Sequence, residues 1–183
     1  IRQRLNRDIV TMWARLGPTI EKILDSYHEL GGINHISGPR LPSRSAMIRI
    51  VEDLEAIIFP GYHEEESPLV DNLKYAVAEK LNRVARNLTD EIQKCLCFER
   101  GISGEDASHH PISDKEIATC HSRAEEIALE LAALIPEIRR RVRMDVEAAF
   151  RGDPAAKSHE EVILAYPGIE AVLVYRLAHE LWA

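Results

Sequence analysis

The sequence predicts an all-α protein, and three observations lead to that prediction. Through most of the 183 residues, apolar side chains recur three and four positions apart, which is the period of an amphipathic helix. No run alternates apolar and polar residues as a half-buried strand does. Hydrophobic residues make up 45% of the chain but aromatic residues only 5%, so we expect a helical core of Leu, Ile, Val and Ala.

The first elements are predicted from periodicity and from glycine and proline. Apolar residues at helical spacing over residues 3–16 indicate a helix that ends at Gly17-Pro18. Pro18 is well placed to begin a second helix, because the first turn of a helix tolerates a missing N–H. Gly31-Gly32 should stop it, and glycines and prolines over residues 31–42 indicate a loop.

A third helix is predicted after this loop. Ser43 or Ser45 can cap it, since a serine hydroxyl accepts a hydrogen bond from an N–H of the first turn. An apolar stripe runs from Met47 to Ile58, and the sequence Phe-Pro-Gly-Tyr at residues 59–62 ends the helix.

The longest uninterrupted periodic segment follows an acidic turn. Ser67 is expected to cap it, Pro68 to open it, and the apolar stripe continues to Glu99. A continuous helix of this extent would be about 48 Å long at about 1.5 Å per residue. Such a helix spans a domain or packs against other subunits.

Two capping boxes mark helices in the second half of the chain. After a predicted loop over residues 101–111, the segment 113–116 (Ser-Asp-Lys-Glu) begins a helix that should extend through Leu134. Pro136 is expected to start or kink the next piece, which runs to Gly152.

The second capping box is the segment 158–161, Ser-His-Glu-Glu, which should open a short helix. Pro167-Gly168 breaks that helix, and the last one runs from about Ile169 to the end.

Charge and cysteine content exclude several functional classes. The net charge of −7 and pI near 5.6 do not favour binding to nucleic acid. The arginines at 139, 140, 141 and 143 spread around a helix and are interpreted as a solvated surface without a functional role.

Three cysteines, an odd and sparse set, indicate reduced thiols in a cytoplasmic protein. No apolar run reaches the ~18 residues of a membrane span, and no signal peptide follows the charged start.

The strongest local signal for chemistry is the sequence Gly-Asp-Pro-Ala-Ala at residues 152–156. Gly152 ends a helix and Pro154 disfavours helical geometry at Asp153, so the carboxylate of Asp153 is expected on a loop between two helices. The local pattern leaves two interpretations open. Asp153 caps the following turn, or its side chain points into a cleft and binds a ligand.

Three segments together resemble the N-terminal helical region of serine O-acetyltransferases: residues 144–156, residues 166–171 (Tyr-Pro-Gly-Ile-Glu-Ala) and residues 175–179 (Tyr-Arg-Leu-Ala-His). In that family a helical segment precedes a left-handed parallel β-helix of hexapeptide repeats. The chain has no hexapeptide period, so we expect a fragment that lacks this catalytic domain. The resemblance divides the chain into an N-terminal helical extension, residues 1–62, and the helical domain of the family, residues 63–183.

The resemblance implies transfer of an acetyl group from acetyl-CoA to L-serine, which gives O-acetylserine for cysteine biosynthesis. It implies that Asp153 supplies a carboxylate to the ammonium group of serine. The family's catalytic His and Asp belong to the β-helix, so no catalytic residue is assigned here, and acetyl-CoA is a co-substrate with no further cofactor implied. The implied partners are other copies of the chain, as a trimer or dimer of trimers, and cysteine synthase through a C-terminal tail absent from this sequence.

The alternative function is a non-catalytic helical oligomerisation or adaptor module.

His179 lies near an apolar stripe and is expected to pack or to form an interhelical hydrogen bond. His159 lies in a capping box and should be exposed. A zinc site from Cys95, Cys97 and the histidines at 109 and 110 is disfavoured, because the two cysteines point to different sides of one helix.

Overall fold

The computed structural model describes residues 2–36, 40–62, 72–102 and 112–182. These residues form six helices and no strand, which confirms the all-α prediction. The chain divides into two compact units, Ile1–Gly38 and Pro39–Ala183.

The first unit is built on one helix, α1, which spans Arg2–Glu29. The break predicted at Gly17-Pro18 was wrong, because α1 continues with Pro18 inside it. A proline removes one backbone hydrogen bond at a cost of about 3 kcal/mol, but the turns on either side keep their own bonds and continue the helix.

Residues 31–36 are not helical, as predicted, and Gly32 has a φ of +83° that a residue with a side chain rarely adopts. The side-chain amide of Asn34 donates to the carbonyl oxygens of Tyr27 and Leu30, each at 2.8 Å. These bonds satisfy carbonyl groups that have no partner within the helix.

The second unit begins with α2, Arg44–Ile58, which agrees with the prediction. Ser43 is its N-cap, and its Oγ accepts from the N–H of Ala46 at 3.3 Å. The backbone N–H of Ser43 donates in turn to the carboxylate of Glu91 at 2.6 Å, and Glu91 also pairs with Lys94 at 2.5 Å. Because Glu91 is buried, these partners offset the cost of removing its charge from water.

The third helix, α3, spans Leu73–Ile102. The predicted cap and first residue, Ser67 and Pro68, lie outside the described residues. A loop was predicted from Gly101 onwards, and for Gly101 and Ile102 that prediction was wrong, since both are helical. Glycine costs only about 1 kcal/mol inside a helix, which packing in this unit can offset.

The longest helix is α4, Asp114–Gly152, with 39 residues. The predicted capping box is present: the Oγ of Ser113 accepts from the N–H of Glu116, and the carboxylate of Glu116 accepts from the N–H of Ser113 at 2.9 Å. A new helix does not start at Pro136, which lies inside a continuous α4.

Two shorter helices complete the unit, α5 at His159–Ala165 and α6 at Pro167–Trp182. Ser158 caps α5 as predicted, but the carboxylate of Glu161 accepts from the N–H of Lys157 at 2.8 Å, one residue earlier than a capping box requires. Pro167, which was predicted to lie in the break between the two helices, is the first residue of α6.

The helices α2 to α6 share one hydrophobic core. All five helices contribute buried side chains to it, among them Ile50, Leu54, Val84, Leu88, Ile138, Val142, Val162 and Leu173. Since α2 packs in this core, the second unit includes residues before position 62. The division after residue 62 rested on the family resemblance and stays a prediction.

In the described part of the chain, no single helix is both long and apolar enough to cross a membrane. Taken together, α5 and α6 reach that length and composition, but they are bent by 75° at the break between them.

Candidate functional site

Asp153 lies where the sequence predicts, on the loop that connects α4 to α5. It is the C-cap of α4, and its N–H donates to the carbonyl of Ala149 at 3.1 Å. Its backbone is extended, with φ −112° and ψ 106°, as the following Pro154 favours. The carboxylate Oδ1 accepts from the N–H of Ala155 at 2.9 Å, which is the local turn bond that one of the two sequence interpretations predicts.

The second oxygen of Asp153 has a partner that is distant in sequence. Its Oδ2 accepts from the hydroxyl of Tyr166 at 2.6 Å, across the segment that holds α5. The Tyr166 hydroxyl, and after it the Ala155 N–H, hold the pKa of the Asp153 carboxyl below its usual value. The same bond to Asp153 raises the pKa of Tyr166 to about 12. The pair therefore favours an ionised carboxylate beside a neutral hydroxyl.

The Asp153 carboxylate differs from those of Asp145 and Asp53 in the charge of its hydrogen-bond partners. Asp145, two turns earlier on α4, binds Arg176 through two hydrogen bonds. Asp53 binds Arg83 in the same two-bond manner. Within the described ranges, Asp153 forms no ion pair, and the two groups that donate to its carboxylate are neutral. Its negative charge is therefore uncompensated by any cation of the described chain.

A shallow groove of about 550 Å³ lies beside Tyr166. Its walls come from α4, the end of α5 and the start of α6, and they are mostly small or apolar: Ala148, Ala149, Ala165, Tyr166, Pro167, Gly168, Ile169 and Val172, with Asp145 as the charged member. On another side Tyr166 lines a groove of about 690 Å³ between α2 and α5–α6. Tyr166 therefore belongs to both grooves as well as to the hydrogen bond with Asp153.

The structure places the two histidines of the sequence analysis in local contacts. The ring of His179 stacks on Tyr175, one turn earlier on α6, with centroids 6.1 Å apart. His159 is exposed, as predicted, and its ring contacts that of Phe150 at 4.6 Å between centroids. The hydrogen bonds described for the Asp153 carboxylate involve neither histidine.

The three cysteines are free thiols. Burial, followed by a hydrogen bond with Cys120, raises the pKa of Cys97 to about 11, and burial raises the pKa of Cys95. Both shifts disfavour the thiolate that a nucleophile or metal ligand requires. The histidines at 109 and 110 lie outside the described residues, and the part that is described contains no group of three or more His, Cys, Asp or Glu that could hold a metal ion.

The arginines of α4 are engaged with different partners. Arg139 donates to the carbonyl of Ile57 at the end of α2 at 2.9 Å, and Arg141 donates to Glu180 on α6 at 2.8 Å. Arg140 and Arg143 pair with glutamates of α4 itself. Arg139 and Arg141 thus form interhelical contacts, so the prediction that all four arginines form a solvated surface was wrong for these two. Arg140 and Arg143 lie on the surface.

Sequence reasoning did not identify two pairs, Tyr166 with Asp153 and Arg176 with Asp145. Their members lie 13 and 31 positions apart, so no helical period connects them. The quoted motifs contain Tyr166 and Arg176, but a motif does not state which side chains meet.

Comparison with known proteins points to one family. No family model matches the chain. A plasmid-encoded serine acetyltransferase of Synechococcus elongatus is 32% identical over 142 residues, which are 78% of this chain and 42% of the relative. The serine acetyltransferase of Mycobacterium tuberculosis is 54% identical over 41 residues, 22% of this chain and 18% of the relative. The chain therefore spans less than half the length of these curated relatives.

A solved structure shows the same fold. The crystal structure of serine acetyltransferase isoform 3 in complex with cysteine, from Entamoeba histolytica, aligns with a TM-score of 0.54 and 22% identity. The alignment covers 91% of this chain and 50% of that one. With the sequence relatives, this agreement confirms the resemblance drawn from the motifs, and the chain belongs to the serine acetyltransferase family, as its N-terminal helical region.

Proposed function

We propose that this chain is the N-terminal helical region of an enzyme that transfers an acetyl group from acetyl-CoA to L-serine, giving O-acetylserine for cysteine biosynthesis. The observation that supports it most is the 32% identity over 142 residues to a serine acetyltransferase. The transfer requires a base that takes the proton of the serine hydroxyl. In this proposal the base belongs to the β-helix that follows the helical region in the family.

The contribution of this chain to the serine site is the carboxylate of Asp153. A substrate ammonium group is best bound by an ionised carboxylate that no protein cation already neutralises. Asp153 has this property: two neutral donors favour its ionised form and orient it, and its charge is not paired with any described cation. Asp145 lacks it, because the charge of Asp145 is paired with Arg176.

Kinetics of Asp153→Asn in the full-length enzyme that contains these residues tests this role. The substitution removes the charge and keeps the size, so kcat/KM for serine should fall roughly 10- to 150-fold, the range for losing a hydrogen bond to a charged group. The KM for acetyl-CoA should stay within about twofold. Asp90→Asn on α3 is the matched control, since Asp90 is exposed and its substitution removes the same charge at a different place.

Two other results would contradict the proposal. Normal serine kinetics in Asp153→Asn, combined with a lower melting temperature, would mean that Asp153 only caps the turn after α4. Serine-dependent release of CoA by the purified 183-residue chain would contradict the assignment of the base to a β-helix, because we expect this region alone to be inactive.

We also propose that the region self-associates, as a trimer or dimer of trimers in the whole enzyme. Support comes from α1, where large apolar side chains are about half exposed, among them Met12, Trp13, Leu16, Leu24 and Tyr27. The apolar stripe of α3 supports it less, because Val84 and Leu88 are buried in the core of the chain itself. Sedimentation that shows only monomer at high micromolar concentration would contradict this part of the proposal.

A cytoplasmic location and contact with cysteine synthase complete the proposal. The first is supported by sparse, free cysteines. The second would require a C-terminal tail outside these residues. Fractionation of cells and co-purification of the full-length protein test them separately.

A further inference from the structure

Within the described residues, Tyr166 is the one side chain that forms a hydrogen bond with the Asp153 carboxylate. Its hydroxyl donates to Oδ2 at 2.6 Å, while the backbone N–H of Ala155 donates to Oδ1 at 2.9 Å. One donor on each oxygen fixes the carboxylate plane as well as its position. An ionised carboxylate has about four lone-pair sites, so each oxygen keeps one for a further donor.

Tyr166 is itself held firmly between two helices. Its N–H donates to the carbonyl of Val162 at 3.3 Å and ends α5, and its carbonyl accepts from the N–H of Ile169 at 3.0 Å in the first turn of α6. The following Pro167 favours the extended backbone that is observed, with φ −99° and ψ 103°. The ring packs against the hydrophobic core. The backbone and ring of Tyr166 are therefore fixed in position, and so is the hydroxyl that donates to Asp153.

The chemistry of this donor suits a site for a cation. An arginine in the same place would bind the carboxylate strongly, as Arg176 binds Asp145, but would also cancel its charge. A tyrosine hydroxyl orients the carboxylate and favours its ionised form without bringing a positive charge. The hydrogen bond thus leaves the full negative charge for the ligand.

We propose that Tyr166 is a positioning residue that holds the Asp153 carboxylate in place for the ammonium group of the amino-acid substrate. This inference rests on the proposed function of Asp153. Tyr166 acts through Asp153 and does not itself take part in proton transfer.

The test is a double-mutant cycle in the full-length enzyme with Tyr166→Phe, Asp153→Asn and the double variant. Tyr166→Phe removes only the hydroxyl, and we expect kcat/KM for serine to fall about 2- to 10-fold, the range for the net worth of one hydrogen bond. The fall should appear in the KM for serine, with kcat and the KM for acetyl-CoA nearly unchanged. In the Asp153→Asn background, Tyr166→Phe should cost less than twofold, because its effect passes through Asp153.

A pH profile separates positioning from a merely structural role. Without the hydroxyl, the pKa of Asp153 should rise toward its ordinary value, so the lowest-pH part of the acidic limb of kcat/KM for serine, below the fall set by the proposed base, should move to higher pH. Loss of packing alone would lower the melting temperature and leave this limb in place. Tyr175→Phe is the matched control, because Tyr175 is exposed on α6 and contacts His179.

The outcomes distinguish the two proposals. If Asp153→Asn impairs use of serine but Tyr166→Phe leaves the KM and the acidic limb unchanged, or its effect adds fully to that of Asp153→Asn, the positioning role is wrong and the role of Asp153 stands. If Asp153→Asn leaves serine kinetics normal, the proposed role of Asp153 is wrong, and the role of Tyr166 is wrong with it.

Discussion

Arg176 on α6 donates two hydrogen bonds to the carboxylate of Asp145 on α4, from Nε at 2.7 Å and from a terminal nitrogen at 2.8 Å. This two-bond geometry is specific to the planar guanidinium group. The side chains are only 27% and 24% exposed, so water screens the pair less than it screens the ion pairs on the surface. The pair fixes α6 against α4 near the groove beside Tyr166.

Arg176→Lys should therefore destabilise the second unit. A lysine keeps the charge but cannot form both bonds, and we expect the free energy of unfolding to fall by about 1 to 2 kcal/mol. That corresponds to about 2 to 8 °C in melting temperature for a chain of this size. Arg143→Lys is the control: it pairs with Glu147 on the surface and should change stability by less than about 0.5 kcal/mol. Equal losses of unfolding free energy in the two variants would show that the Arg176 pair stabilises the chain no more than a surface ion pair.

Leu81→Asp tests whether the stripe of α3 belongs to the monomer core or to an assembly contact. Leu81 packs against the core cluster, so a carboxylate there should lower the free energy of unfolding by at least about 2 kcal/mol. Tyr75→Asp on the same helix is the control, since Tyr75 is 75% exposed. Thermal unfolding and sedimentation are measured together. An unchanged melting temperature with loss of oligomer would instead place the stripe in the contact between copies.

Ser113→Ala should weaken the start of α4. It removes the side-chain acceptor of the capping box, and the usual cost of such a change is about 1 kcal/mol. Ser122→Ala, at an exposed position inside the same helix, should be neutral or slightly stabilising because alanine is the better helix former. Urea unfolding of both variants measures the difference. If Ser113→Ala destabilises the chain no more than Ser122→Ala does, the role of the capping box is contradicted.

Ultraviolet titration of tyrosine in the 183-residue chain tests the pair of Tyr166 and Asp153 without any assay of activity. Asp153→Asn removes the charge, so the pKa of Tyr166 should fall from about 12 toward the ordinary value near 10. Near pH 11 the variant should therefore contain more tyrosinate than the parent chain. Asp90→Asn should titrate like the parent, and identical curves for all three proteins would show that the bond is absent in solution.

The sign of the pH dependence follows from the two shifts. The pKa of Tyr166 is raised by folding, so its contribution to stability is present below pH 10 and is lost as the pH rises through about 12. The pKa of Asp153 is lowered by folding, so its contribution is present above the ordinary aspartate value and is lost as the pH falls through the lowered one. Between these limits the pair should not change stability with pH.

The sequence by itself determined the helical class, the helix caps and the family. Periodicity and capping act within a few residues, so Ser113 and Ser158 could be recognised as caps from their neighbours alone. For α2 the sequence left Ser43 and Ser45 open, and the structure shows that Ser43 is the cap. The same local rules predicted that a helix ends at Gly17-Pro18 and that Pro136 starts or kinks a helix. Instead, α1 and α4 each continue across their proline, because the neighbouring turns keep their own hydrogen bonds.

Only the tertiary structure decided which side chains of the motifs meet. The contacts of Tyr166 with Asp153 and of Arg176 with Asp145 depend on how α4, α5 and α6 pack, which no spacing in the sequence encodes. Packing also decided that Asp153 would be held by neutral donors while Asp145 received an arginine. Two similar carboxylates, one on α4 and one at its C-cap, thereby acquired different properties, since the partner of a charge determines whether it remains available to a ligand.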